Sequence, residues 1–429
     1  MGGEEVREGT GPLIAVAGLA VVRALHSHRA SLKRRDEHGR EPAESQWRQY
    51  GEDLDAAIRH HADGMPAEAL RRYGALLQVS PNDPVVLTNA AQIWIDHGVS
   101  RKDAAWALDL AAAVVTDPRR RARVAIQRAR LHLSFGRYSE AAAELTASVA
   151  ALPDPGADPA PLAWYLFGTC LMEMGDEPGA QRAFQTVLAH RPLVAEAWIS
   201  LAHVLAESDR AAACELLEHG QALIAPPGRA HLAEPVQAPH AEPRHARHED
   251  VAQARREDVA HAREAAGGLL VEAALISLAP PKDHERARAF LARAARLCPD
   301  SPYPPLNQAM IDEELQDHDA FRRHIREAVS KVPRTDQRLI ARLMSGAFAG
   351  AYGSVTLAAM EEARFIDRAE LRRRLDSWEH QRAPGERPRP GNRYHNGVVA
   401  GHRAIVSGAR RPYSLNGGTA MTRDPEELP

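Results

Sequence analysis

Large apolar residues, small residues, glycines and prolines return in one fixed order along much of this chain. The order predicts a helix, a sharp bend, a second helix and a stop. The clearest copy spans 161–194. There Trp164, Gly168, Gly175, Ala180, Phe184 and Pro192 fall at positions 4, 8, 15, 20, 24 and 32 counted from Pro161. Started at Tyr50, the same frame meets Gly64, Ala69, Tyr73 and Pro81; started at Ala122, it meets Gly136, Ala141, Leu145 and Pro153. From Ala195 it meets Trp198, Ala202 and Pro226, with Asp209 where the bend glycine would fall. Weaker copies start at Gly268 (Ala274, Ala287, Leu291, Ala294, Pro299) and at Pro302 (Ala309, Ala328, Pro333). A slightly longer one runs from Pro84 to Pro118 and carries Trp94 and Gly98. Alanine-rich helices satisfy one small-residue position by chance, but not several copies in frame at a period of roughly 34 residues.

This order resembles the tetratricopeptide repeat, a two-helix hairpin with an aromatic, small residues, a bend glycine, an alanine, a second aromatic and a closing proline. The resemblance implies an all-α fold, a right-handed superhelical solenoid of antiparallel helix hairpins. Each marked position has a physical reason. Gly168 and Ala180 are small enough for two helices to approach where they cross. Gly175 lies between the helices, where a left-handed backbone is unstrained only for glycine. Trp164 and Phe184 fill the space between neighbouring hairpins, and Pro192 ends the second helix.

In arrays of this kind the first helices of successive hairpins line a concave groove in which peptides lie. Carrying the family's groove positions onto this chain gives Gln92 and Asp96, Arg123 and Arg130, Tyr165, Thr169 and Glu173, and His203 and Glu207. Their mixed charges suit recognition of a peptide, with Tyr165 as an anchor. One subfamily clamps the acidic tail of chaperones, and Asn89 and Arg123 fall at two clamp positions. The first copy has Leu54 and Ile58 at the corresponding places, which cannot donate to a carboxylate, so that ligand is not implied.

The copies divide the chain. Residues 1–49 are a charged leader with a short apolar helix, and 50–228 hold about five copies, with a proline-rich loop at 153–161. Residues 229–267 are rich in alanine, proline and histidine and contain an eight-residue duplication, 248–255 and 256–263. That composition predicts a flexible linker passing into a solvated helix. Two further copies occupy 268–335. Helices at 336–349 and 355–378 would cap the array across 336–383, the second with Leu357, Met360, Phe365, Leu371 and Leu375 among Arg372, Arg373 and Arg374. Residues 384–429 have the composition of a disordered tail.

Composition agrees with a helical chain and narrows its chemistry. Aromatics are 5% and charged residues 26% of 429 residues. With Lys+Arg 54 against Asp+Glu 57, the formal charge of −3 makes no case for nucleic acid as a partner. Cys170, Cys214 and Cys298 are scattered, which predicts buried reduced thiols and a cytoplasmic setting rather than a disulfide framework. His231, His240, His245, His248 and His261 are irregularly spaced in the linker, without the fixed geometry a metal site needs. No motif for a nucleophile, a phosphate loop or a metalloprotease is present. No cofactor is therefore expected, and the expected role is a non-catalytic scaffold or adaptor for a protein or peptide. A self-associating assembly protein is the alternative. The apolar run 12–22 lasts about 11 residues where a spanning helix needs about 20. It predicts a packing or capping helix, with weak membrane contact through residues 12–25 as the other option.

Overall fold

The structure, a computed structural model, describes residues 44–152, 154–225, 245–333 and 353–365, together with Gly18, Val21, Val22, Asp336, Leu339 and Ala369. Most of the leader, nearly all of the helix expected at 336–349, most of 366–378 and the tail at 384–429 lie outside the described residues, as does 226–244. The described residues form fifteen helices and no strand. The chain divides into two compact units, with the boundary between Val204 and Leu205.

The first unit holds α1 (Glu44–Ala62), α2 (Pro66–Val79), α3 (Pro84–His97), α4 (Arg101–Val114), α5 (Pro118–Leu133), α6 (Tyr138–Ala151), α7 (Ala160–Glu173), α8 (Glu177–His190) and most of α9 (Ala195–Ala206). From α1 to α8, each helix packs on the next. Prolines stand in the first turn of α2, α3, α5, α7 and α8, where no helical partner for their missing N–H is needed. Aspartates cap three of these helices. Asp83 accepts from the amides of Val85 and Val86 at 2.8 and 3.2 Å, Asp117 from Arg120 at 2.7 Å, and Asp176 from Gly179 at 3.0 Å.

The bends repeat as closely as the helices. Gly64, Gly98, Gly136 and Gly175 all have positive φ, as the spacing predicted for the three of them that sit in the clearest frames. At Gly175 the glycine amide donates to Met172 O at 3.0 Å and the next amide, Asp176, donates to Leu171 O at 2.9 Å. The same pair of bonds recurs at Gly136 and Gly98. Gly168 serves a different need. A Cβ there would lie 2.8 Å from Phe184 Cε1 and 3.1 Å from the Ala183 Cβ, so the helices of this hairpin meet at van der Waals distance only because a hydrogen stands in that place.

Helix α3 is buried over all ten residues 85–94, which needs cover on every side. Its neighbours α1, α2, α4 and α5 supply most of it. The apolar run supplies the rest near Trp94: Val21 is fully buried in the same cluster, and a Cβ on Gly18 would be 2.7 Å from the Trp94 Nε1. No helix among the described residues is long and apolar enough to cross a membrane.

The second unit holds α10 (Arg210–Ile224), α11 (His245–Ser277), α12 (His284–Leu297), α13 (Tyr303–Glu314), α14 (His318–Lys331) and α15 (Gly353–Glu362). Each again packs on the next. Helix α11 begins well before residue 268, where the sixth copy was expected to start, and runs through it unbroken. Its duplicated segment contains neither glycine nor proline and is rich in alanine, arginine and glutamate, so nothing stops a helix that its C-terminal part has already nucleated. That part, from Ala266 onward, buries Leu269, Leu270, Ala273 and Ala274. Helix α15 covers the cluster of Phe321, Ile325 and Val329 with Ala359 and Met360.

One core position of the second unit is not apolar. Asp312 is fully buried at the place in its copy where Trp94 stands in the second. One carboxylate oxygen accepts from Arg288 of α12 at 2.8 Å and the other meets His324 Nδ1 of α14 at 2.6 Å. A buried carboxylate held this way costs most when its partners are lost rather than when the whole group is replaced. The double variant Arg288→Met, His324→Leu is therefore expected to lose about 3 kcal/mol in urea unfolding. Adding Asp312→Leu should restore most of that loss; a triple variant no more stable than the double would show that the carboxylate is not the source of the cost.

Candidate interaction surface

Across hairpins of the first unit, the first helices touch one another: α1 with α3, α3 with α5, and α5 with α7. Of the positions carried over from the repeat family, Gln92, Asp96, Arg123, Arg130, Tyr165, Thr169 and Glu173 lie on α3, α5 and α7. Their side chains meet at the repeat distance. Gln127 Nε2 donates to Gln92 Oε1 at 3.3 Å, 35 residues away, and Arg130 pairs with Asp96, 34 residues away. Arg130 also donates to Gln127 Oε1 at 3.0 Å. Arg123 pairs with Asp158 in the loop before α7, again 35 residues on.

The structure thus gathers Gln92, Asp96, Arg123 and Arg130 on α3 and α5, where they bond to one another or to adjacent repeats. Gln92 is buried and the Arg130 side chain is only 12% exposed, so these groups help join consecutive hairpins. Tyr165 is buried, with its ring 5.7 Å from that of Phe184 and its hydroxyl 3.5 Å from Ser200 Oγ on α9. Burial pushes its ionisation up to about 12. Thr169 donates to the Tyr165 carbonyl at 3.0 Å. Glu173 is exposed at the end of α7 and His203 is half-buried on α9. Glu207, also exposed, belongs to the second unit. Asn89, a clamp position in one subfamily, is fully buried and turned against the Tyr73 hydroxyl.

Two shallow depressions lie along the first helices, and one of them was not anticipated. It is about 150 Å³, lined by Trp47, Tyr50 and Leu54 of α1, Asp83 and Val85 at the start of α3, and Arg120 of α5. The Tyr50 hydroxyl donates to Asp83 at 2.7 Å, and the Trp47 and Tyr50 rings meet edge-on at 5.7 Å. The spacing of Trp47, Tyr50 and Leu54 puts all three on one helix face, a signal present in the sequence but placed in and next to the leader. The smaller depression is lined by Thr88, Arg123, Ile126, Asp158 and Leu162.

Cys170, Cys214 and Cys298 form no disulfide; the thiols of Cys170 and Cys214 are buried, and burial raises them, Cys170 to about 12. Among the described residues no group of three or more metal-binding side chains comes together.

No family model matches this chain, and no curated protein matches it. Among solved structures it is similar to the crystal structure of the MamA protein, at 18% identity and a TM-score of 0.33, over 40% of this chain and 89% of that one. It is similar to the assembly chaperone of RpL4 (Acl4) at 14% identity and 0.37, over 68% and 97%. It is also similar to the TPR domain of P58(IPK) at 14% and 0.22, over 78% and 100%. The repeat geometry within each unit defines the fold on its own terms. The described residues form an all-helical array of tetratricopeptide-type hairpins, with left-handed bends at Gly64, Gly98, Gly136, Gly175 and Gln316 and first helices in mutual contact.

The buried hydroxyl and thiol give a pH dependence whose sign is set by proton binding. Tyr165 and Cys170 hold their protons to about 12, against ordinary values of 10.0 and 9.0 once the chain unfolds. The native state therefore binds more protons above pH 9, and stability falls as pH rises from there toward 12. The melting temperature should be level between pH 7 and 9 and drop beyond it, and the double variant Tyr165→Phe, Cys170→Ala should drop less steeply. Identical slopes for parent and variant would assign the alkaline loss to other groups.

Proposed function

We propose that this chain is a non-catalytic scaffold or adaptor that holds a protein or peptide segment along the inner side of its first unit. One observation carries the reading: groups one repeat apart meet on consecutive first helices, Gln92 with Gln127, Asp96 with Arg130 and Tyr165 with Ser200. A surface built from equivalent places in successive hairpins suits an extended segment, whose own repeat runs in one direction past them. This surface also favours binding over catalysis. Its arginines and carboxylates are arranged in pairs, and its amides bond to one another, so they do not converge on one reacting atom.

Capture with the full chain as bait, followed by cross-linking, tests the role. The parent should retain at least one protein whose cross-links fall on α3, α5 and α7. A folded Arg123→Glu, Arg130→Glu variant should retain it at least ten-fold less. Equal retention by the variant, or cross-links confined to other helices, would remove the inner side from consideration.

A cytoplasmic location belongs to the same proposal. Its support is that Val21, near the end of the apolar run 12–22, is buried in the core of the first unit and so is turned away from any bilayer. Fractionated cells should keep the full chain in the supernatant at physiological salt. Recovery in the membrane pellet that a Val21→Asp substitution abolishes would overturn this placement.

A further inference from the structure

Two half-exposed apolar side chains stand at equivalent places in neighbouring hairpins. Phe135 and Met174 each precede a bend glycine, and they are 49% and 46% exposed. Gly136 and Gly175 beside them face open space, since a Cβ on either would meet nothing within 4 Å. Helices α5 and α7, which end at these bends, touch each other. The two apolar groups therefore lie about one helix spacing apart, roughly 10 Å, on the edge of the first unit where its bends line up. Apolar residues scattered singly over a surface are ordinary, but a pair placed by the repeat makes a short ridge. Its two ends differ in charge. The guanidinium groups of Arg101 and Arg137 lie 4.9 and 5.2 Å from the centre of the Phe135 ring, with Lys102 next along α4. Together they outnumber Asp103, which bonds to Ser100, and Glu140, which bonds to Ser139 at 2.8 Å. Met174 is flanked instead by Glu173, Asp176 and Glu177, of which Asp176 caps α8.

Several of these charges oppose their own helices. Arg101 and Lys102 open α4, Arg137 immediately precedes α6, and Glu173 closes α7. Charges set against a local rule in this way point to a use outside the helix that carries them. A ridge that is basic around an aromatic ring at one bend and acidic around a thioether at the next is complementary to itself. Turned about a two-fold axis between the bends, a second copy brings its Met174 to Phe135 and its Phe135 to Met174, so both contacts close at once. The thioether sulfur packs well at the edge of an aromatic ring, and each guanidinium pair then meets carboxylates of the other copy. We propose that this bend edge is a contact between two copies of the chain: Phe135 of each lies on Met174 of the other, with Arg101 and Arg137 against Glu173 and Glu177. Two bends offer roughly a few hundred Å² per copy, under the roughly 800 Å² of a standard interface, so the pair forms reversibly. The contact stands without the reading of the inner side as a partner surface, and shares only Glu173 with the groove positions.

Sedimentation velocity of the purified full chain tests this, at low salt and from about 1 to about 300 μM. The parent should shift from monomer toward dimer as concentration rises, and the shift should shrink in high salt. Phe135→Ala should weaken the dimer at least three-fold. The charge-reversed variant Arg101→Glu, Arg137→Glu should stay monomeric, and so should Glu173→Arg, Glu177→Arg. An equal mixture of these two variants should form a heterodimer at least ten-fold tighter than either forms with itself, because each acidic bend then faces a basic one. That rescue also shows that both variants fold. A parent still monomeric at the highest concentration, either variant associating as the parent does, or a mixture without rescue would each overturn the proposal. So would growth past the dimer into larger oligomers, since a two-fold contact closes on itself.

Discussion

A two-helix hairpin has two apolar faces and can cover only the one between its own helices. The other must be covered by the next hairpin, and the structure of each unit depends on that shared burial. Helix α3 is the extreme case, buried for ten residues in a row because other helices and the Val21 segment surround it. Close sharing requires the hairpins to be nearly identical in shape. Hence the left-handed glycines at the bends and the missing side chain at Gly168, where the Phe184 ring takes the space. Two bends lack glycine and answer differently: at Gln316 the backbone adopts a φ of 61° and the following amide, Asp317, donates to Asp312 O at 2.9 Å, whereas Asp209 stays extended at a φ of −146° and caps the next helix instead.

Stacking places equivalent positions of successive hairpins side by side, and this governs the chemistry of the inner side. A polar group there faces its counterpart about 34 residues away before it faces any partner. Gln92 with Gln127 and Asp96 with Arg130 are such couples. Bonds of this type hold arginines and amides at a fixed spacing along the first helices. They also mean that charge reversal at Arg130 acts on the array itself.

The second unit shows the same constraint met by polar means. Asp312 stands where the second repeat has Trp94, and Arg288 and His324 fill the surrounding volume while satisfying both carboxylate oxygens. In the sequence this copy showed only a weak middle pattern, since an aspartate at a core position carries no apolar signal. The partners come from the helices before and after it, so only the folded arrangement reveals why a charge is tolerated. The start of α11 was obscured for the opposite reason. Its duplicated segment has the composition of a solvated linker, yet composition cannot say where a helix already begun will stop.

The order of aromatics, small residues, bend glycines and prolines was enough to establish an all-helical array of hairpins, because each of those types answers a local backbone or contact requirement within one or two turns. It also marked the first helices of the hairpins, which touch one another in the first unit. Which of their side chains join neighbouring hairpins, that Trp47, Tyr50 and Leu54 border a depression beside Arg120, and that Asp312 can be buried were settled only by tertiary packing. Those outcomes depend on groups a full repeat or more apart, and no local preference reaches that far.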